Sequence, residues 1–276
     1  MDTQTITQSL AYISWVLLMA IGLGSLALVV LLRQATDATS GFTGFTALSA
    51  GLCGALVWII DGNLPVPANL HIQAASTDWD TLRRGGLGLF TILAFVAGIR
   101  MLRGHKALWA GVLAVVAGVL AEAVAALGWA GGPVDGVPLL VQFLALSAVT
   151  GGSVCAVILA HWYLVTPRIS SVPLVLTTRL LAWALGVQLL LFGAWVATGI
   201  PSGAPFSALT GSNAALVWLR LLVGIVFPLV LAVMAYRTAL TRSMESATGL
   251  LYIELTLVLA STIVAAGLAL GTGLLI

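Results

Sequence analysis

Charge is what this sequence has least of. Asp, Glu, Lys and Arg make up 7% of its 276 residues, and 61% are hydrophobic. A soluble globular domain carries about 25% charged residues, so a water-soluble protein is excluded. Mean hydropathy is +1.14. The net charge is only +2, and no nucleic-acid partner is expected. Cysteine is nearly absent: Cys53 and Cys155 both fall inside apolar runs and read as small packing residues. With no CxxC or CxxCH, covalent c-type haem and a thiolate-held cluster are excluded. Histidine is as scarce. Haem b on helical ligands takes two histidines per haem, and His161 alone lies within an apolar run; a bis-His haem would have to recruit His71 or His105 from a loop. No haem is therefore expected from this chain alone. Lys106 lies in a loop, which leaves no buried lysine for a retinal-type Schiff base. Walker A, HExxH, GxSxG and Asp-rich diphosphate motifs are missing, so catalysis by this chain alone is not expected. The opening MDTQTITQSL has no basic residue and does not resemble a cleaved signal peptide.

What is present is a series of long apolar runs, over 10–32, 42–60, 85–102, 107–130, 138–165, 174–200, 214–240 and 248–276. About twenty apolar residues in a helix cross a hydrocarbon core of roughly 30 Å. The fold class expected is an all-α membrane protein of eight transmembrane helices in a single integral domain. Arg33, Arg100, Arg103, Lys106, Arg168, Arg179, Arg237 and Arg242 fall at one set of span ends. The other set holds Arg83 and Arg84 with Asp2, Asp61, Asp78, Asp80 and Asp135. Basic residues favour the cytoplasmic side, which places both termini outside and makes 61–84 a long extracytoplasmic loop. The chain is expected in an integral membrane, the bacterial inner membrane by this pattern.

An internal match suggests a tandem repeat with halves 10–130 and 138–276, that is, two four-helix bundles. Ala20–Ser25 (AIGLGS) aligns with Ala148–Ser153 (AVTGGS), and Leu93–Ala97 (LAFVA) with Leu231–Ala235 (LAVMA). Four spans per unit keep both halves in the same orientation, as in parallel repeats. Small residues mark close helix contacts: Gly267 and Gly271 form a GxxxG, and Gly151-Gly152-Ser153 makes a narrow patch.

Ionisable residues inside a bilayer usually face a protein interior, a cavity or one another. The run 138–165 is the most informative. Ser147, Thr150 and His161 share one helical face, with Ser153 at its edge, and the run ends in His161-Trp162-Tyr163. Two polar clusters follow from depth along the spans. His161, Tyr163, Arg179, Tyr252 and Glu254 fall near the cytoplasmic ends; Glu122, Gln142 and Arg220 lie nearer the outer face. Plainer roles exist for each. Arg179 and Arg220 can snorkel, the aromatics fit an interfacial belt, and His161 can bond a backbone carbonyl. Glu122 needs a partner at its depth, and Arg220 is the one expected.

Eight helices, parallel halves, no redox-cofactor ligands and a polar cluster near each face resemble the membrane anchor of the polysulfide reductase and formate-dependent nitrite reductase type. The resemblance covers the whole chain as architecture and carries no residue over. It implies an integral, non-catalytic subunit of an electron-transfer complex, respiratory or photosynthetic, that binds quinol for a partner protein. The residues offer His161, Tyr163, Arg179 and Glu254 as the quinone pocket, with Glu122, Gln142 and Arg220 as a second cluster. Partner subunits are expected at 61–84 or at the cytoplasmic loops, with membrane lipids around the spans. A small transporter of an apolar or weakly polar solute is the alternative, for which Pro228 and Gln188 are the deep features. A membrane scaffold or assembly subunit is the other.

Overall fold

The computed structural model describes residues 3–73, 77–166, 169–200 and 204–276. Asp2 and Arg168 lie outside them. Eight long helices follow one another: α1 (Thr3–Ala35), α2 (Ser40–Asp61), α3 (Thr77–Leu102), α4 (Leu108–Trp129), α5 (Pro133–Val165), α6 (Val172–Thr198), α7 (Ala214–Leu240) and α8 (Met244–Thr272). Each is long and apolar enough to cross a membrane. Among the described residues the expected count of eight and the all-helical class hold, and the chain is an integral membrane protein.

Local chemistry explains the helix ends. The Thr39 hydroxyl caps α2 by accepting from the Phe42 amide. Pro133 opens α5 and Pro173 sits in the first turn of α6, where a missing N–H costs nothing. Gly199 and Gly273 close α6 and α8 at φ +68° and +72°, a left-handed conformation that favours glycine. The loop expected over 61–84 is shorter than its polar composition suggested, because α3 already begins at Thr77. Asp78 and Asp80 sit in its first turn, where the helix dipole favours acidic groups, and Arg83 bonds back to Asp80 at 2.9 Å.

Helix α5 is the centre of the molecule. Of its apolar window 72% is buried, against 28% for α6, so α5 is enclosed by protein while α6 faces outward. Sequential helices pack together, and α1 closes on α4 as α5 closes on α8. Between these groups α1 packs along α5, α4 against α5 and α1 against α8. Outward faces are apolar: Ile92, Trp183 and Leu190 are well exposed, as a lipid-facing surface requires.

The closest approach is between α1 and α5. A Cβ added at Gly24 would fall 1.7 Å from the Ser147 main-chain oxygen, and one at Gly151 would fall 2.3 Å from the Ser25 nitrogen. Only glycine at both positions lets the two backbones touch. The narrow patch expected at Gly151 is real, and its partner is α1. The Gly267/Gly271 motif is not a close crossing. A Cβ at Gly271 meets nothing, and one at Gly267 meets only Ile13 at an ordinary 3.6 Å.

Helix α7 is interrupted by a π-helical turn at Leu222–Val226, just before Pro228. Proline has no N–H and crowds the carbonyl four residues back, here Gly224. That carbonyl takes its hydrogen bond from Ser261 of α8 instead, at 3.1 Å. A widened turn before a helical proline is the usual relief of such a clash.

Candidate functional site

Three buried hydroxyls, Ser147, Thr150 and Ser153, line α5 through the middle of the protein. They recur every three residues, which stacks them on neighbouring turns. Ser147 donates to Glu122 Oε1 of α4 at 2.6 Å. Thr150 and Thr262 of α8 lie 2.7 Å apart. Ser153 Oγ lies 2.8 Å from Glu254 Oε1 of α8. Both carboxyls are enclosed, at 2% and 0% exposure, and each keeps a second oxygen without a protein partner. Because α5 is the enclosed helix, its hydroxyls are the groups that buried carboxyls can reach.

This arrangement regroups the residues named from sequence. Of the inner set, His161 and Tyr252 meet, and the others make their contacts elsewhere or are exposed. His161 is exposed and meets Tyr252, with Nδ1 3.4 Å from the tyrosine hydroxyl. Tyr163 is buried and donates to the main-chain oxygen of Ser170. Arg179 is exposed on α6. Glu254 is deeper than expected: α8 begins at Met244, which sets Glu254 ten residues, roughly 15 Å, inside its helix. The Ser153 that meets it is eight residues from His161, roughly 12 Å along α5. Trp162 packs against α2, its ring 6.5 Å from that of Phe45.

The outer set divides. Glu122 does not pair with Arg220; its recorded partner is Ser147. Arg220 is 1% exposed and donates through Nη1 to Ser261 Oγ and through Nε to the main-chain oxygen of Ile276 at 3.3 Å. Gln142 donates to that same oxygen at 2.8 Å. Gln142 and Arg220 thus converge, and Glu122 belongs to the α5 ladder. Arg220 is also tied to the π turn, since the Ser261 that accepts from it donates to Gly224. The deep Gln188 is buried with no partner for either side-chain atom.

Sequence reasoning used Asp61 and Arg83 only as markers of sidedness and missed that they form a buried pair. Arg83 Nε lies 2.5 Å from Asp61 Oδ1, with both side chains enclosed. Trp15 Nε1 donates to the same oxygen at 2.9 Å, and the Arg83 guanidinium sits 5.4 Å from the Trp129 ring centroid. A signal was available. Two arginines at the otherwise basic-poor ends, facing an aspartate that closes an apolar run, break the charge pattern and call for a partner.

A cleft reaches the α5 ladder at Ser147. A cavity of about 280 Å³ opens between α1, α4, α5 and α6, lined by Leu23, Leu28, Val119, Leu144, Ala148 and Leu181 among others. Its only polar side chain is Ser147, the donor to Glu122. Outward-facing Ala148 stands at its rim. An apolar slot with one polar group at its base suits a ligand with an oily body and one hydrogen-bonding head. Among the described residues no group of three His, Cys, Asp or Glu side chains is placed to hold a metal ion. Comparison with protein-family models, with curated proteins and with solved structures returned no match for this chain.

Proposed function

We propose that the chain is a membrane subunit that binds a lipid-soluble, carbonyl- or hydroxyl-bearing molecule of the quinone type in the cleft between α1, α4, α5 and α6. The observation that carries this reading is that Ser147, bonded to the enclosed Glu122, is the one polar side chain of an otherwise apolar cavity. Leu23, Leu28, Leu144 and Leu181 would hold the hydrocarbon part, and Ser147 would meet the head group. The inner residues His161, Tyr163, Arg179 and Glu254 do not form the pocket in this reading, because His161, Tyr163 and Glu254 make their contacts elsewhere and Arg179 is exposed on α6. Membership of an electron-transfer complex, with partner subunits at the polar loops, fits a sequence in which His161 alone among the histidines lies within an apolar run.

Topology belongs to the same proposal. Arg33 bonds the main-chain oxygen of Gly104 at 3.0 Å, and Arg242 that of Ile169 at 3.4 Å, which supports basic loops that meet in pairs at one end of the bundle. That end is cytoplasmic by charge, with both termini outside. The matching closure of α1 on α4 and α5 on α8 supports two tandem four-helix bundles.

The test is binding of a short-tailed ubiquinone analogue to the purified protein in nanodiscs. Wild type is expected to bind it saturably. Ala148→Trp, which fills the cleft from its outward rim, should weaken binding at least tenfold. Equal binding by wild type and Ala148→Trp would refute the site.

A further inference from the structure

The spacing of the α5 hydroxyls has a consequence beyond ligand binding. Ser147 and Ser153 are six residues apart, about 9 Å along the helix, and each holds a carboxyl on a different neighbour. Glu122 comes from α4 and Glu254 from α8. Thr150 lies between them and is held by Thr262. Thr262 also lies 2.9 Å from the Val258 main-chain oxygen, where only a donor is useful, so Thr150 donates to Thr262. Neighbouring hydroxyls three residues apart have Cβ atoms about 5–6 Å from each other, a distance that one water bridges.

Ser153 is the informative member. Its oxygen lies 2.8 Å from the Val149 main-chain oxygen and 2.8 Å from Glu254 Oε1. A hydroxyl has one proton to donate. When Ser153 donates to Val149, the contact to Glu254 is satisfied only if the carboxyl supplies a proton. When Glu254 has lost it, Ser153 must turn to the carboxylate. The two arrangements differ by one proton and one hydroxyl rotation.

Towards the basic end of the bundle, α8 and α5 continue from Glu254 and Ser153 with the fully enclosed apolar residues Leu251, Ala247, Ala156 and Ala160. The charged groups of the neighbouring helices make their recorded contacts elsewhere: Arg220 of α7 with Ser261 and Ile276, and Arg33 of α1 with Ala38 and Gly104. On α5 itself, His161 meets Tyr252. The polar side chain that Glu254 meets is Ser153, the end of the hydroxyl series.

We propose that the hydroxyls of α5 form a proton path across the middle of the protein, joining the Glu122 carboxyl at the cleft to the Glu254 carboxyl. Each hydroxyl, and each water that bridges two of them, takes up one proton as it releases its own, and the hydroxyls turn to pass it on, Thr150 away from Thr262 and Ser153 from Val149 to Glu254. The proposal rests on the cleft reading only for what exchanges protons at the Glu122 end.

Infrared spectroscopy of the full chain in nanodiscs tests it without any quinone. A protonated-carboxyl carbonyl band missing from Glu254→Gln is expected in wild type. On transfer to D₂O, exchange at that band should slow about tenfold or more in Thr150→Val, the rate equivalent of one lost hydrogen bond. Thr150→Ser, which keeps the hydroxyl, should exchange at the wild-type rate. Thr150→Ala, which also removes the hydroxyl, should slow it as well and serves if Thr150→Val does not fold. Wild-type exchange in the variants without the Thr150 hydroxyl, or no band lost in Glu254→Gln, overturns the path. Ligand binding is not read here, so the cleft and the path can fail separately.

Discussion

The Ser147 hydroxyl donates to the Glu122 carboxyl at 2.6 Å, and that same serine is the only polar side chain in the cleft between α1, α4, α5 and α6. A buried carboxyl is thereby joined to a cavity suited to an oily ligand. The enclosed α5 makes this possible, because its hydroxyls look inward from the helix that is covered on most sides.

The α1–α5 crossing should be intolerant of any side chain. Gly24→Ala places a Cβ against backbone atoms of α5, which cannot rotate away. Overpacking of this kind costs about 1–3 kcal/mol and occasionally more. Gly271→Ala, where a Cβ meets nothing, should leave stability unchanged. Thermal unfolding in detergent distinguishes them, and equal midpoints for the two variants would contradict the crossing.

The Asp61–Arg83 pair predicts an asymmetry. Asp61→Asn leaves the enclosed Arg83 without its main charge partner, and breaking a buried pair costs about 3–5 kcal/mol. Asp80 also bonds Arg83 but is 44% exposed, and exposed pairs contribute about 0–1 kcal/mol. Asp80→Asn should therefore unfold close to wild type, well above Asp61→Asn.

Helix α7 carries the third expectation. Ser261→Ala removes one of the two acceptors of Arg220 and the donor to Gly224 in one step. Each group left unsatisfied costs about 1–3 kcal/mol, more for a charged one. Pro228→Ala restores the missing N–H and should recover part of the loss in the double variant. No recovery would mean that Ser261 does not serve the proline.

The number of helices and their apolar character were legible because hydrocarbon thickness sets a length that composition cannot disguise. The contents of α5 were legible too: Ser147 and Thr150 share a face as their spacing requires, with Ser153 beside them. Pairings were not. Sequence gives depth along a helix but not which helices touch, so Glu122 and Arg220 matched in depth yet bond to Ser147 and to Ser261 with Ile276. Glu254 was misplaced for a different reason. The polar turn Met244–Ala247 reads as loop, yet it belongs to α8 and sets Glu254 a full turn deeper. The crossing glycine Gly24 was visible only as part of a repeat, since a single close approach leaves no periodic trace.

Sidedness is open to direct labelling. In a background without Cys53 and Cys155, single cysteines at Val66 and Lys106, both exposed, should react with impermeant maleimide from opposite sides of the membrane. Val66→Cys should label from outside. Labelling of both from one side would contradict the helix arrangement.

The central claim is the place of the cleft, and photolabelling with an azido-quinone reads it directly. After irradiation in nanodiscs and peptide mass spectrometry, labels that an excess of unmodified quinone suppresses should fall on the α5 stretch 144–152 and on facing residues 23–31, 115–119 and 180–181. Suppressible labelling confined to His161, Arg179 or Tyr252 would contradict the account and return the site to the basic end of the bundle.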